Sequence, residues 1–528
     1  MKRNCPSAPD LTPRPLSVSN LLTTLTTKTG ERMLRLDMKK TSVTIFAAAM
    51  LLSLRVAAQD TSAQAKSAID AAVTAMGSAS LQSLQYTGSG QFYATGQAYE
   101  PGGPWPRYTL KKYTMSVNYT APAMRQQVVR IDDERPPRGG GVGGYNPVTF
   151  QGGIRPAPGE MIDNQNIDGH TEAGAVRVWL TPYGFLKGAA ANIATAKASP
   201  SHGKTVVSFS AFGKYTVKGT LNAQNLVEHV EALMDVPYTG DTLMEGVYSD
   251  YRDFGGVKFP MHIVMREGGY PTLDLTVADV QPNSQAALEV RGANPAEGAG
   301  AAGRGGPRPE PQPEKIADGV WAITPNAEGS ILVEFKDFAV MIEGTGSDAY
   351  TVAALAQASK LASGKPIKYV VNTHHHADHA GGLRAYVAEG IPIITHESHK
   401  KYYEEQIFKN PHTINPDRLA RAPRAPILET MKDKRVLTDG DTSIELYLLR
   451  DHPHAVGLLM AYLPKQKLLI QADSYIPRPG APPLPAPSPY TINLVDNVTR
   501  LKLDVARVVH IHGGVSPYSE LVAAAGRS

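Results

Sequence analysis

A chain of 528 residues is too long for one ordinary core, so we expect two folded domains with additional segments. Hydrophobic residues make up 42% of the chain, as in a globular protein, and 53 Lys and Arg residues against 49 Asp and Glu residues leave a formal net charge of only +4. No long basic run or stripe of basic and aromatic residues accompanies this balance, so the composition argues against a nucleic-acid partner.

The first 58 residues have the pattern of an export leader. Met38 is followed by two lysines, by an apolar stretch from Val43 to Leu54, and by Val56-Ala57-Ala58. This order is typical of a secretory signal peptide, and the apolar stretch is shorter than the ~20 residues that a membrane span needs. We therefore predict a leader and signal peptide over residues 1–58, a mature chain beginning near Gln59, and a periplasmic or secreted location. A membrane anchor is the alternative.

The single cysteine, Cys5, lies upstream of the predicted cleavage point. The mature chain would then contain neither a disulfide nor a cysteine metal ligand. An exported protein of this kind must be held by packing and by its metals.

The residues after the leader predict a helix followed by a β-rich domain. Residues 61–77 are rich in alanine and place Ile69, Val73 and Met76 along one stripe, as in a packing helix that ends at a glycine. From Tyr86 to Asn283, apolar and polar residues alternate in runs separated by Gly, Asn and Pro. This alternation predicts an antiparallel meander.

The leading helix, the meander and the segment from Tyr248 to Pro260, which ends in Gly-Val-Lys-Phe-Pro, resemble the curved half-barrels of periplasmic lipoprotein-carrier proteins. The resemblance implies that residues 59–291 form a curved antiparallel sheet of half-barrel type with a helix, whose concave face can shelter acyl chains. The alternative is a β domain that only positions the second domain. Residues 292–313, rich in Gly and Pro with almost no apolar bulk, predict a linker.

The residues after the linker alternate between strand-like and helix-like runs. Such an order predicts two sheets packed face to face with helices outside. The predicted strands are Gly319 to Ile323, Ser330 to Glu334, Ala339 to Ile342, Ile367 to Val371, Ile391 to Thr395, Ser443 to Leu449, Leu458 to Leu463, Lys467 to Ile470 and Val508 to His512, and the predicted helices are Tyr350 to Leu361, Gly382 to Glu389 and Glu397 to Ile407.

The segment Thr-His-His-His-Ala-Asp-His-Ala-Gly-Gly follows the apolar run that ends at Val371. Neutral imidazole and carboxylate are ligands that zinc accepts at ~2.0–2.2 Å, and a strand that delivers them onto a loop lets alternate side chains converge. We therefore predict that His374 and His376 share one direction, and that Asp378 and His379 face a second metal after a turn. A chance polyhistidine patch on a solvated loop, or an affinity tag, is the alternative.

These residues and two later segments identify residues 314–528 as similar to the metallo-β-lactamase superfamily, whose αβ/βα sandwich holds one or two metals on loops at the edge of its sheets. Pro453-His454-Ala-Val-Gly457 leads through a Tyr-Leu-Pro turn to Asp473, and a late strand leads to His512-Gly513. The resemblance implies His454 as the third ligand of the first metal, Asp473 as a carboxylate bridging two metals, and His512 as the last ligand. His452 competes with His454, and alternation along a strand does not exclude His510.

The metal ligands implied by the resemblance are therefore His374, His376, Asp378, His379, His454, Asp473 and His512, with two Zn²⁺ as the expected cofactors and iron as the alternative. The remaining histidines of the motif region take other interpretations. His375 occupies a free position in the motif, and a structural role is favoured for His396. The family's Asp-Thr-Gly appears here as Glu343-Gly344-Thr345, so Glu343 would replace the usual outer aspartate.

The resemblance implies hydrolysis of a small-molecule substrate. Two metals would present a shared hydroxide to a polarised carbonyl, with Asp378 orienting the hydroxide and Tyr475 as a candidate oxyanion donor whose alternative is simple packing. The missing cysteine and the presence of Asp473 favour an ester, thioester or lactone, as in glyoxalase II-like and lactonase relatives. β-Lactamase activity, a single-iron persulfide dioxygenase and a hydrophobic-ligand binding protein are the alternatives.

Overall fold

A computed structural model describes residues 62–132, 137–140, 160–292, 312–323, 329–477 and 486–527. The predicted leader and signal peptide lie outside the described residues, as does nearly all of the predicted linker. Among the described residues, no helix is both long and apolar enough to cross a membrane.

The N-terminal domain is built on one antiparallel sheet of eleven strands, in the order β4-β3-β2-β1-β11-β10-β9-β8-β7-β6-β5. The predicted antiparallel sheet is thus confirmed, whereas its half-barrel curvature and lipid binding stay predictions. The strands are β1 (Ser83–Tyr93), β2 (Arg107–Asn118), β3 (Ala123–Ile131), β4 (Glu160–Asp168), β5 (Lys197–Ser201), β6 (Lys204–Ala211), β7 (Tyr215–Leu221), β8 (Val227–Val236), β9 (Gly240–Phe254), β10 (Val257–Glu267) and β11 (Tyr270–Pro282).

Helix α1 covers residues 62–76, close to the predicted bounds. The predicted meander is not continuous, because two helices, α2 (Glu172–Trp179) and α3 (Pro182–Ala191), separate β4 from β5. Each begins at a threonine, Thr171 or Thr181, whose side chain accepts a hydrogen bond from a backbone amide of the first turn. These N-caps, with proline at the first position of α3, are start signals that outweigh the alternation of the flanking residues. A short helix, α4 (Gln285–Leu288), ends the domain.

The C-terminal domain consists of two packed sheets, as predicted. The first has seven strands in the order β12 to β18, and the second has six strands in the order β19 to β24. The strands are β12 (Pro313–Ala317), β13 (Val320–Ile323), β14 (Ser330–Glu334), β15 (Ala339–Ile342), β16 (Ile367–Val371), β17 (Ile393–His396), β18 (Leu428–Met431), β19 (Lys434–Thr438), β20 (Ser443–Leu448), β21 (Leu459–Leu463), β22 (Leu468–Gln471), β23 (Arg507–His510) and β24 (Gly514–Pro517).

Helices cover the outer faces of both sheets. Alternation along β15 shows the layering: Val340 and Ile342 belong to the core between the sheets, whereas Met341 packs into the core outside the seven-stranded sheet. The helices are α5 (Asp348–Leu361), α6 (Ala377–Ala380), α7 (Leu383–Glu389), α8 (Lys400–Tyr402), α9 (Arg418–Arg421), α10 (Pro489–Leu501) and α11 (Tyr518–Ala524), with a π-helical turn over Tyr403–Ile407.

The two domains share one compact unit, residues 60–528. The turn between β8 and β9 packs against the loop before α9: Asp241 accepts hydrogen bonds from the backbone amides of Thr413 at 2.8 Å and Ile414 at 3.2 Å. The Asn410 side chain donates to the Thr239 carbonyl at 3.0 Å. The N-terminal sheet therefore lies directly against the helical layer of the second domain.

Candidate metal centre

The predicted motif begins where β16 ends, and local hydrogen bonds set its path. The Thr373 amide donates to Glu343 Oε1 at 3.0 Å, and the Asn372 side chain donates to the His379 carbonyl at 3.0 Å. His376 immediately precedes the one-turn helix α6, and the backbone amide of His379 donates a hydrogen bond to the carbonyl of His376. After this turn the ring of His379 packs beside that of His374, with 4.2 Å between the ring centroids.

A first donor group contains His374, His376, His454 and Asp473, all buried. The Nε2 atoms of His374 and His454 lie 3.1 Å apart. Asp473 Oδ2 lies 2.9 Å from His454 Nε2 and 3.6 Å from His374 Nε2. The structure therefore brings three imidazoles and one carboxylate to one point.

A second donor group contains Asp378, His379, Asp473 and His512. Asp473 contributes its other oxygen, Oδ1, which lies 3.1 Å from His379 Nε2 and 2.8 Å from His512 Nε2. Asp378 Oδ2 lies 3.7 Å from His379 Nε2 and 3.6 Å from His512 Nε2. Asp473 thus stands between the two groups with one oxygen toward each.

The donor atoms fit divalent metals in spacing and chemistry. Four atoms held tetrahedrally around zinc at about 2.0–2.2 Å lie roughly 3.3–3.6 Å from one another, close to the separations in both groups. The Nδ1 atom of His376 is buried and has no hydrogen-bond partner among the described residues. A buried polar atom without a partner is costly, and a metal ion would satisfy it. The identity of the metal stays a prediction.

Outer contacts orient the imidazoles. Glu343, buried and with φ 76°, lies with Oε2 at 3.3 Å from His379 Nδ1. Thr373 Oγ1 lies 3.0 Å from His374 Nδ1. Both contacts leave the Nε2 atom of the ring for a metal. The position of Glu343 beside His379 agrees with the prediction that Glu343 replaces the family's outer aspartate.

Replacing Glu343 by Gln is expected to lower the affinity of the second donor group for zinc by about 10–100-fold, since an amide orients His379 Nδ1 less firmly than a carboxylate does. Competition with a chromophoric chelator measures the two affinities separately. Glu334→Gln is the matched control, because Glu334 is a partly buried carboxylate that accepts from Trp321 on the same sheet. Unchanged affinity in Glu343→Gln would refute the orienting role.

The competing histidines have other partners. The His454 amide donates to His452 Nδ1 at 3.1 Å, and His452 Nε2 lies 2.9 Å from Ser474 Oγ. His510 bonds to Gln471 and Ser516 on either side of its ring. Burial lowers the pKa of His452 to about 3 and that of His510 to about 4, so both are neutral.

Two histidines and one tyrosine near the motif fall outside both donor groups. His375 Nε2 donates to the Ala98 carbonyl at 2.9 Å, and His396 Nδ1 lies 2.8 Å from Ser398 Oγ. The Tyr475 hydroxyl donates to Glu520 on α11 at 2.9 Å. This contact gives the hydroxyl a partner at the surface, and the role of Tyr475 as an oxyanion donor stays a prediction.

Electrostatics differ between the two groups in the metal-free protein. Burial lowers the pKa of His374 and of His376 well below the ordinary value. Burial also opposes the charged form of His379, but Asp473, Asp378 and Glu343 together raise its pKa well above the ordinary value. Asp473 likewise raises the pKa of His512 against the effect of burial. His374 and His376 are therefore neutral, whereas His379 and His512 favour the protonated form, whose proton a metal must displace.

The N-terminal domain reaches this centre, which the sequence did not predict. Gln97 Nε2 donates to Asp378 Oδ1 at 2.8 Å, and His376 Nε2 donates to the Ala98 carbonyl at 2.8 Å. These contacts join residues about 280 positions apart in the chain. The only nearby sign in the sequence of this contact is that the alternation of apolar and polar residues stops after Tyr93, where a loop begins.

A two-sheet sandwich with a double metal-donor group at the ends of its strands defines the class of the C-terminal domain. Residues 324–512 match the family model described as the metallo-beta-lactamase superfamily, and this part of the chain belongs to that superfamily. No curated protein is significantly similar to the chain.

Several solved structures are similar over 41% of this chain. A metallo-beta-lactamase from Pontibacter korlensis is 22% identical, with 97% of its length covered and a TM-score of 0.33. A sec-alkylsulfatase from Pseudomonas sp. is 16% identical, with 40% of its length covered and a TM-score of 0.31. The rubredoxin oxygen:oxidoreductase of Desulfovibrio gigas is 16% identical, with 60% covered and a TM-score of 0.31.

Proposed function

We propose that the chain is an exported, zinc-dependent hydrolase that cleaves an ester, thioester, lactone or related carbonyl compound. The observation that carries this proposal is the position of Asp473, whose two oxygens face two separate groups of metal-donor side chains. Two metals bound there would polarise a substrate carbonyl and lower the pKa of a shared water from ~15.7 to about 7. The leader pattern before Gln59 supports export.

The exposure of the donors indicates the side from which a substrate approaches. The side chains of Asp378 and His512 are 22% and 13% exposed, whereas the imidazoles of the first group are buried. A substrate therefore reaches the second donor group first. In this proposal Asp378, at this opening, orients the attacking water with its carboxylate.

The donor set supports the choice of a carbonyl substrate. The described chain offers no thiolate near the centre, and Asp473 occupies the place of the carboxylate that the resemblance associates with esters, thioesters and lactones. A carbonyl substrate of this kind needs no ligand beyond the two groups. β-Lactams, and persulfide oxidation by a single iron, are the rival outcomes of the test below.

The test is a substrate panel on protein purified with its native metal. We expect hydrolysis of at least one aryl ester, thioester or acyl-lactone, and we expect His376→Ala to reduce kcat/KM by on the order of 10³-fold because it removes a ligand of the first group. His396→Ala is the matched control, since His396 lies outside both groups. One equivalent of iron with little zinc, or activity on β-lactams alone, would refute the proposal.

A further inference from the structure

The loop between β1 and β2, residues 94–106, leaves the N-terminal sheet and lies on the metal centre. Its backbone is joined to the two segments that carry the histidines of the first group. The Ala377 amide donates to the Gly96 carbonyl at 3.1 Å, and the Val456 amide donates to the Tyr99 carbonyl at 2.9 Å. The loop therefore bridges the motif segment and the His454 segment.

Gln97 makes a side-chain contact from this loop to a predicted metal ligand. Its Nε2 donates to Asp378 Oδ1 at 2.8 Å, and Asp378 Oδ2 is the oxygen that faces His379 and His512. The amide thus occupies one oxygen and leaves the other for a metal. An amide is also neutral, so it orients the carboxylate without competing with a cation for its charge.

The neighbouring residue acts on the first group. The Ala98 carbonyl accepts from His376 Nε2, which places the proton on that nitrogen and leaves Nδ1 as the available donor atom. This same Nδ1 is the buried atom without a hydrogen-bond partner. One loop of the N-terminal domain therefore orients one ligand of each donor group.

The close approach of the loop depends on Gly96. Its φ is +73°, a conformation that favours glycine, and an added Cβ would lie 2.6 Å from the Cβ of Ala377. Ala377 stands between His376 and Asp378 in the sequence. The backbone of the loop is thus built to touch the motif, and the contact is not a distant consequence of domain packing.

We propose that Gln97 is a positioning residue of the metal centre, which holds the Asp378 carboxylate for the second metal and makes the N-terminal domain part of the site. This inference rests on the two-metal centre of the proposed function. Outer partners that orient ligands typically change metal affinity by about 10–100-fold when they are removed.

The experiment measures metal binding rather than turnover, on the full-length mature chain. In Gln97→Met, which keeps the length of the side chain but removes the donor, we expect second-metal affinity to fall by about 10–100-fold, with first-metal affinity unchanged. Chelator competition gives the affinities, and the visible absorption of the cobalt-substituted protein reports the geometry at the second metal. Gln281→Met is the matched control, because Gln281 on β11 also donates to an aspartate, Asp279, but in an exposed pair.

Gln97→Glu is the second variant, since a carboxylate of nearly the same shape cannot donate to Asp378 and repels it, and it is expected to change the cobalt spectrum of the second metal. Native affinities and an unaltered cobalt spectrum in either folded variant would overturn the inference. Binding of one metal only by the native chain would also overturn it. A native chain that binds two metals but hydrolyses no carbonyl substrate would refute the proposed function and leave this inference standing.

Discussion

Replacing Asp473 by Asn is expected to remove the larger part of both metal binding and activity. Its two oxygens face different donor groups, so one substitution takes a charged ligand from each. We expect the zinc content to fall from two per chain to one or fewer, and kcat/KM to fall by on the order of 10³-fold, which corresponds to about 4 kcal/mol of transition-state stabilisation. Elemental analysis and steady-state kinetics measure the two effects.

Asp496→Asn is the control for this substitution, because Asp496 is an exposed aspartate on α10 that pairs with Arg527. Its zinc content and activity should match those of the native protein. Two tightly bound metals in Asp473→Asn, together with native kinetics, would contradict the bridging position of Asp473.

Lowering the pH is expected to release the second metal before the first. Burial disfavours the charged form of His379, but three nearby carboxylates raise its pKa well above the ordinary value. Asp473 likewise raises the pKa of His512 against the effect of burial. Protons therefore compete with a metal at these rings as the pH falls toward their pKa values. The pKa values of His374 and His376 are lowered by burial, so these rings stay neutral over the same range.

We expect metal content to fall from two to one per chain as the pH is lowered, with the first metal leaving only at a lower pH. Dialysis against zinc-buffered solutions at stepped pH, followed by elemental analysis, measures this. In His512→Gln, which lacks a ligand of the second group, the single remaining metal should be retained across the pH range in which the native chain loses its second metal. Simultaneous loss of both metals from the native chain would show that the two groups do not differ as described.

Regular elements and the motif were accessible from the sequence because their signals are local. The apolar run Ile367–Val371 has the observed bounds of β16, and the spacing of His374, His376, Asp378 and His379 indicated two directions for their side chains. The two helices after β4 were missed, since their start signals at Thr171 and Thr181 lie within a long alternating region.

The choice between His510 and His512 needed the structure. Residues two apart on a strand share a face, so alternation alone left both histidines possible. The strand β23 ends at His510, and the turn that follows brings His512 to the second group. The end of a strand depends on its neighbours: β22 pairs with β23 in parallel, and the last paired residues are Gln471 and His510. Asp473 lies two residues after Gln471, and His512 lies two residues after His510.

By itself, the sequence determined the two-sheet class of the C-terminal domain, the antiparallel character of the N-terminal sheet and the residue types of a metal centre, because periodicity and ligand spacing are properties of short segments. Only the tertiary structure decided which carboxylate oxygen faces which donor group, and that Gln97 and Ala98 contact the centre. Those contacts join residues about 280 positions apart. Chain folding alone determines such distances, and no local pattern encodes them.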